Sequence, residues 1–375
     1  MAYFEITGLP VGAAEGDFSS TVSLTLEKGR GLTVLSDDGL ISSRLADSIT
    51  GRTGFTGEII LNQKRIDPLG AKKRSVAVIG DTPGIVPGRT VRENLELATA
   101  DRALNSSEEL FLVEEELKEG VLSGLEDIKA GLLDPAQRSV LAVVCKALNA
   151  PDLLVIRNLP VPHPMNRRNG VSWNPGLQLD SLIEIKNILR RHRVTWISLL
   201  SDQACVQVLS DNVAVFTGDQ LLQEGTLREC INAPATRLVA DFLAFPAMNY
   251  KRGTIERDGP YVMLRVGRYG FSISEYAKRQ LAPMEGQDAV IGLRPEDLNL
   301  RPYQTGDPSV MNLAKVTRSD HLPGILVVRL DAEGDDWLSI VEPSRAVFTG
   351  QLVELRHDPD RVHLFNPVSG VSLLD

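Results

Sequence analysis

The chain has 375 residues, 43% hydrophobic and 24% charged, which is typical of a soluble globular protein with room for two domains. No apolar run reaches the ~18 residues that a membrane-spanning helix needs, and the first residues lack the pattern of a signal peptide. A formal net charge of −9 argues against non-specific nucleic-acid binding. Cys145, Cys205 and Cys230 have no metal-binding spacing and no pairing pattern, so we expect core thiols in a reducing compartment.

The first two thirds of the chain alternate between predicted strands and helices. Strands are predicted within residues 2–35 and at 57–66, 75–79, 152–156, 194–200 and 212–216. Helices are predicted over 39–49, within 92–132, over 137–148 and 178–191, and from Asp202. Ser106 and Ser107 stand where they could cap the acidic helix that follows them. This alternation predicts a mostly parallel sheet covered on both faces.

The pattern changes after about Pro246, where short strands separated by turn residues predominate. Such a pattern predicts a small all-β barrel or sandwich, and we place the domain boundary near residue 240.

Residues 32–45, "LTVLSDDGLISSRL", have the outline of a strand that passes through a tight loop into a helix. In a nucleotide-binding protein this loop would be rich in glycine and would end in Gly-Lys-Ser/Thr. Here the loop contains two aspartates and no lysine. The sequence therefore keeps the shape of a phosphate-binding loop and lacks its main cation.

Four segments in a consistent order carry a family resemblance. They are "GIVPGRTVRENLELA" at 84–98, "FLAFPAMNY" at 242–250, "IGLRPEDL" at 291–298 and "DPDRVHLFNPVSG" at 358–370. With them the whole chain resembles the ATP-binding subunit of carbohydrate-type ABC importers, the maltose and glycerol-3-phosphate kind. The resemblance implies an α/β P-loop ATPase domain over 1–240, with a helical subdomain at about 92–150. It also implies an all-β regulatory domain of the TOBE type, an OB-like barrel, over 241–375.

The resemblance also assigns the nucleotide-site positions, and this chain departs from the family at nearly all of them. The phosphate loop falls on Ser36, Asp37, Asp38, Gly39, Leu40, Ile41, Ser42 and Ser43, so that Ser42 replaces the lysine and Ser43 keeps a hydroxyl. The signature reads Leu133, Asp134, Pro135, Ala136 and Gln137. The adenine-stacking aromatic falls at about Ala13, the Q-loop glutamine on Asp81, the Walker-B acids on Arg157 and Asn158, and the switch histidine on Ser201. Asp202 and Gln203 match, and an insertion within 161–176 hides the D-loop.

These replacements weaken any nucleotide site. A unit charge about 4 Å from another is worth roughly 4 kcal/mol at an effective dielectric of ~20, and ~1.4 kcal/mol is tenfold in affinity. Losing the lysine removes the main cationic contact to the phosphates, and without the Walker-B acids neither magnesium nor the attacking water is positioned. A partner's ATP would meet the Asp134 carboxylate and Pro135, which has no N–H to donate. We expect no catalytic residue, no metal site and no cofactor, with Mg-ATP as the ligand if the chain does bind nucleotide.

The replacing residues admit two interpretations. Asp37 or Asp38 could cap the following helix, and Arg157 could pair with one of them and close the pocket from within. Alternatively, the loop could form a new ligand site. Asp81 could be a solvated loop residue or a catalytic acid, and we favour the former.

Two functions are therefore expected. The first is a catalytically degenerate, structural or regulatory subunit, a pseudoenzyme that docks on the transmembrane subunits of an importer through residues 81–95. It would form a dimer with an active paralogue or with itself, on the inner face of the cell membrane. The second is a weak ATP-binding or ATP-hydrolysing subunit that uses Ser43 and backbone donors. Whether the chain is an enzyme stays open between them.

Overall fold

A computed structural model describes residues 2–374 except 11–20, 38, 55–56, 81–83, 101, 103, 119, 158, 160–174, 200–202, 219, 245, 260, 304–311 and 323. Its contacts divide the chain into two compact units, Met1–Leu227 and Arg228–Asp375. The functional division that we predict from the resemblance, 1–240 and 241–375, stays a prediction.

The first unit alternates between strands and helices, as the sequence predicts. In chain order its elements are β1 (Phe4–Pro10), β2 (Thr21–Leu26), β3 (Gly31–Ser36), α1 (Leu40–Thr50), β4 (Glu58–Leu61), β5 (Lys64–Arg65), β6 (Val76–Ile79), α2 (Val91–Thr99), α3 (Ser106–Lys118), α4 (Pro135–Leu148), β7 (Leu153–Ile156), α5 (Pro175–Arg191), β8 (Trp196–Ser198), α6 (Gln203–Leu209), β9 (Asn212–Thr217) and β10 (Gln220–Thr226).

The strands form two sheets. One is antiparallel with the order β2-β1-β4-β5, and the other has the order β10-β9-β3-β8-β7-β6. In the second sheet all neighbours are parallel except the edge strand β10, which is antiparallel to β9. This confirms the predicted mostly parallel sheet.

The larger sheet is buried on both faces, and β7 shows how. Leu153 and Val155 pack into a core shared with α1 and the antiparallel sheet. Leu154 and Ile156 point the other way, into a core shared with α4 and α5. Successive side chains of a strand point to opposite faces, so a four-residue apolar run fills both cores.

Two local expectations were wrong or incomplete. Neither Ser106 nor Ser107 caps α3, because the Asn105 side chain accepts hydrogen bonds from the amides of Ser107 and Glu108 at 3.1 and 3.0 Å. The sequence also gave no sign of β10, whose alternation of polar and apolar residues is weak because it lies at the sheet edge.

Arg74 holds the C-terminal end of α1. Its side chain is almost fully buried, and Nη1 donates to the carbonyls of Ser48 and Ile49 at 2.6 and 3.0 Å. Nε and Nη2 donate to Leu69 and Asp67 carbonyls, both at 2.7 Å. The guanidinium thus satisfies carbonyl groups that a helix end leaves unpaired and connects α1 to the segment before β6.

All three cysteines are buried thiols, and none of them forms a disulfide. Burial raises the pKa of the Cys145 thiol to about 12, so it stays protonated and inert at neutral pH. This confirms the prediction that Cys145 and Cys205 are core residues.

The second unit is mainly β, as predicted. Its elements are α7 (Leu227–Asn232, which starts at the boundary), α8 (Arg237–Leu243), β11 (Asn249–Asp258), β12 (Tyr261–Val266), β13 (Tyr269–Ser272), α9 (Glu275–Leu281), β14 (Asp288–Leu293), β15 (Leu298–Pro302), β16 (Leu313–Leu322), β17 (Ile325–Ala332), β18 (Asp335–Val341), β19 (Leu352–His357) and β20 (His363–Phe365).

Two five-stranded antiparallel sheets, β13-β12-β11-β14-β20 and β15-β19-β16-β17-β18, enclose the core of this unit. Phe271 and Trp337 stack there with ring centroids 5.2 Å apart. The predicted β-rich region at 241–375 is confirmed; it also contains the short helix α9, whereas α7 and most of α8 precede it. Across the described ranges, no helix has both the length and the apolar character needed to cross a membrane.

We expect Gly51→Ala to destabilise the first unit by about 2 kcal/mol or more. Gly51 has φ +71°, and a Cβ there would lie 2.8 Å from Cζ of the buried Arg74. The measurement is urea unfolding of the full chain. Gly54→Ala is the matched control, because a Cβ at Gly54 meets no atom within 4 Å. If both variants lost the same free energy of unfolding, the close approach of the Arg74 side chain to Gly51 would not be what destabilises Gly51→Ala.

Candidate functional site

The loop between β3 and α1 is a tight turn closed by its own atoms. The Gly39 amide donates to the Ser36 hydroxyl at 2.8 Å, and the Ser43 amide donates to the Gly39 carbonyl at 3.1 Å. Gly39 stands at the N-cap of α1 with φ 69°, which glycine adopts without strain. The strand–loop–helix outline read from residues 32–45 is therefore confirmed.

Asp37 connects this loop to the neighbouring strand. One carboxylate oxygen accepts from the Thr217 hydroxyl at 2.7 Å, and the other accepts from the Gly218 amide at 3.1 Å. The parallel register sets Ser36 beside Phe216, so the residues that follow them are also neighbours. The expectation that Asp37 caps α1 is corrected: its carboxylate binds the turn after β9, and Gly39 occupies the cap.

Ser42 and Ser43 lie on the first turn of α1. Ser42 is half-buried and Ser43 is exposed, so the remaining hydroxyl is accessible at the helix start. No side chain with an amino group replaces the family's lysine on this turn.

Arg157 lies directly after β7 and reaches α1. Its amide donates to the Ile79 carbonyl at 2.8 Å, which extends the pairing of β6 with β7 by one residue. Its Nη1 lies 3.3 Å from Oδ1 of Asp47, and both side chains are 30% exposed. The proposed pairing with Asp37 is therefore wrong, since the guanidinium contacts Asp47 instead; Asp38 lies outside the described residues.

The Arg157–Asp47 pair places a fixed positive charge where the resemblance puts a magnesium-binding carboxylate. The same Asp47 oxygen lies 3.9 Å from Nη1 of Arg52, so Asp47 is shared by two arginines. A half-exposed pair of this kind adds only about 0–1 kcal/mol to stability. Its larger effect is electrostatic, because a guanidinium repels a divalent cation in the same space.

Asp134 and Gln137 form a complete capping box at the start of α4. The Asp134 carboxylate accepts from the Gln137 amide at 2.8 Å, and the Gln137 side-chain oxygen accepts from the Asp134 amide at 3.0 Å. Pro135 follows as the first helical residue, where its missing N–H costs nothing. The helix start at the signature position is thus satisfied by the chain itself.

The remaining sequence-predicted site positions cannot be located. Ala13, Asp38, Asp81, Asn158 and Ser201 lie outside the described residues, as does most of the insertion at 161–176. Among the described positions, the structure brings together Ser36, Asp37 and Gly39 in one loop and Asp134 with Gln137 at one helix start.

Sequence reasoning missed Asp47, Thr217 and Gly218. Asp47 carried a signal, because it follows Ser43 by four residues and so lies one turn further along the same face of α1. Thr217 and Gly218 follow directly after a predicted strand, but only the strand order shows that this strand neighbours β3.

The donor set of these residues does not fit Mg-ATP well. The loop offers the Asp37 carboxylate to an anionic phosphate, and the end of β7 offers a guanidinium to a metal ion. Within the described ranges, no three or more His, Cys, Asp or Glu side chains are grouped to hold a metal. The Ser43 hydroxyl and the backbone amides of the loop are the groups that favour phosphate.

A second feature of this unit is the braced segment that precedes α2. Thr90 and Glu93 form a reciprocal capping box at 3.1 and 2.8 Å. The buried Asn94 side chain accepts from the Val86 amide at 2.7 Å and donates to the Thr90 carbonyl at 2.8 Å. The segment 86–90 is therefore fixed by side-chain hydrogen bonds, while Val86 itself is 39% exposed.

Comparison with known proteins gives full-length relatives. No family model matches the chain. It is 24% identical over 371 residues to sn-glycerol-3-phosphate import ATP-binding protein UgpC 1 of Rhizobium johnstonii, which covers 99% of this chain and 96% of the relative. It is 23% identical over 350 residues to UgpC 2 of Agrobacterium fabrum, which covers 93% and 88%. These relatives confirm the resemblance to the ATP-binding subunits of carbohydrate-type ABC importers.

Among solved structures, a nucleotide-free ATP-binding cassette from an ABC transporter aligns with a TM-score of 0.47 and 21% identity, over 64% of this chain and 98% of that chain. The protein cbiO1 of Clostridium perfringens, part of the ABC transporter complex cbiONQ, aligns with a TM-score of 0.49 and 16% identity, over 61% of this chain and 94% of that chain.

We expect Asp134→Ala to destabilise the chain by about 1 kcal/mol, because the Gln137 amide loses its acceptor at the start of α4. Asp134→Ser should restore most of that loss, since serine is also a good N-cap residue and carries no charge. Thermal unfolding of the three proteins measures both effects. If the alanine variant were as stable as the parent chain, the capping role of Asp134 would be refuted.

Proposed function

We propose that this chain is the nucleotide-binding-domain subunit of an ABC importer and that its own nucleotide site is catalytically degenerate. It would act as a structural or regulatory partner, docked on the transmembrane subunits at the inner face of the cell membrane. The observation that carries the proposal is the Arg157–Asp47 ion pair, which stands at the position where the resemblance expects a magnesium-binding acid.

Two further contacts support a degenerate site. The Asp37 carboxylate is used to join the loop after β3 to the turn after β9. The Asp134 carboxylate is used to cap α4, so a partner's phosphate at that helix start would meet a negative charge. Each of the three charged replacements that the structure describes, Asp37, Asp134 and Arg157, thus has a structural role within the chain.

The transport role draws on the relatives. Both relatives are named as ATP-binding proteins for sn-glycerol-3-phosphate import. We therefore propose a polyol phosphate or a carbohydrate as the class of solute. Since such a subunit needs a partner able to hydrolyse ATP, we propose a dimer with an active paralogue, with the homodimer as the alternative.

The second candidate function is a weak ATP-binding or ATP-hydrolysing subunit. The names of the relatives favour it, because both are called ATP-binding. The exposed Ser43 hydroxyl and the amides at the start of α1 are the groups that would contact phosphate. In that case Mg-ATP would be the cofactor, and the partner subunit would supply the missing catalytic groups.

Calorimetric titration of the full chain with Mg-ATP discriminates between the two functions. We expect no saturable heat and no thermal stabilisation up to several millimolar Mg-ATP. This limit corresponds to a binding free energy of about −3 to −4 kcal/mol or weaker. The double variant Asp37→Ser/Ser42→Lys replaces the loop carboxylate and restores a lysine, and it should bind at least tenfold more tightly. Micromolar binding by the parent chain would contradict the degenerate site and support the second function.

Docking on the transmembrane subunits is tested separately, by co-expression and recovery in washed membranes. We expect Val86→Asp to abolish membrane association, because a charge on the braced segment 86–90 would face an apolar partner surface. Val371→Asp is the matched control: Val371 is 50% exposed and lies in the other unit. If both variants remained on the membrane, or both were released, the segment 86–90 would not be the docking surface.

A further inference from the structure

The second unit contains a cavity of about 640 Å³ between the β11–β12 hairpin and α9, which we call the α9 cavity. Its lining includes Arg257, Val262, Glu275, Lys278, Arg279 and Ala282. The volume lies within the range of small-molecule sites, about 300–1,000 Å³.

One wall of the α9 cavity is a row of side chains that would ordinarily belong to the core. Ile255 pairs across the hairpin with Leu264, and Arg257 pairs with Val262. Ile255, Leu264 and Val262 are all buried in the core of the unit. Because residues two apart on a strand share a face, Arg257 continues this row at the rim of the cavity, where its side chain is 51% exposed.

The opposite wall is one face of α9. Glu275, Lys278 and Arg279 follow the spacing of i, i+3 and i+4, which aligns them along one side of the helix, and Ala282 comes directly after its last residue. Ala277 and Leu281, on the other side, are buried in the core and hold the helix in place. The cationic face of α9 is therefore fixed toward the cavity by its apolar face.

The charges around the cavity are unequal. Among the side chains that the structure describes, three cations meet two carboxylates: Lys278 pairs with the exposed Glu275, and Nε of Arg257 lies 3.6 Å from Oε2 of Glu285. In the part of the chain that the structure describes, Arg279 has no ion pair. Lys278 and Arg257 each face a carboxylate, so the excess positive charge is that of the exposed Arg279, and a bound anion would balance it.

We propose that the α9 cavity binds a small dianion, a metabolite or ion with a phosphate or two carboxylates. Guanidinium groups match both kinds of oxyanion through paired N–H donors, and two of the three cations here are arginines. The site lies wholly within the second unit, so it is separate from the nucleotide-site positions and goes beyond the function proposed above.

The test is calorimetric titration of the full chain, without nucleotide, with inorganic phosphate, glycerol 3-phosphate and citrate, and with glycerol as the uncharged control. We expect saturable binding of at least one anion with a Kd of about 1 mM or tighter, and none of glycerol. The anion that binds identifies the class of ligand: free phosphate, a phosphate ester or a polycarboxylate. No saturable binding of any of them up to about 10 mM would overturn the proposal.

Three single variants locate the binding. Arg279→Gln should weaken it at least about tenfold, because a charge-assisted hydrogen bond is lost. Glu275→Gln should tighten it a few fold, because it removes a carboxylate from the cavity wall. Arg301→Gln, at an exposed position on β15 of the other sheet, is the matched control and should change nothing. Binding that is unchanged by Arg279→Gln, or weakened equally by Arg301→Gln, would overturn the assignment to this cavity.

Discussion

The burial of β7 on both faces is the constraint on which the first unit depends. Its four apolar residues divide alternately between the two cores, so a shift of one residue would move every side chain to the wrong core. The end of this strand is therefore fixed, and Arg157 with it. From that position the guanidinium reaches Asp47 on α1, and the pair bridges the sheet and the helix beside the loop at 36–39.

Helix starts in this chain are satisfied by its own side chains. Asp134, Thr90 and Asn105 each accept the free amides at the beginning of a helix, and in all three cases a side chain three residues later completes the reciprocal bond. At α1 the arrangement differs, because Gly39 at the cap has no side chain. In the second candidate function, the exposed Ser43 hydroxyl on the first turn of α1 is the group that would contact the phosphate.

The two units place their charges differently. In the first, charged side chains near the sheet end are paired with one another, as with Arg157 and Asp47, or with the backbone, as with Asp37 and the Gly218 amide. In the second, the α9 cavity gathers three cations against two carboxylates. In the first arrangement Asp37, Asp134 and Arg157 have partners within the chain, whereas in the second the exposed Arg279 has no ion pair among the described residues, which is the basis of the proposed anion site.

The sequence by itself determined the order and type of most elements, because the spacing of apolar residues is local and β7 or α4 can be recognised without knowing their neighbours. It also determined which residue types stand at the nucleotide-site positions. The contacts of these side chains depend on the tertiary structure. Arg157 contacts Asp47 and not Asp37, and Asp37 contacts Thr217, which is 180 residues away in the sequence. Side-chain partners depend on strand order and register, and β10 and Asn105 were missed because an edge strand and a cap leave little periodic signal. Hydrophobic periodicity is a local property of the sequence, whereas the pairing of charged side chains depends on elements that come into contact only after folding.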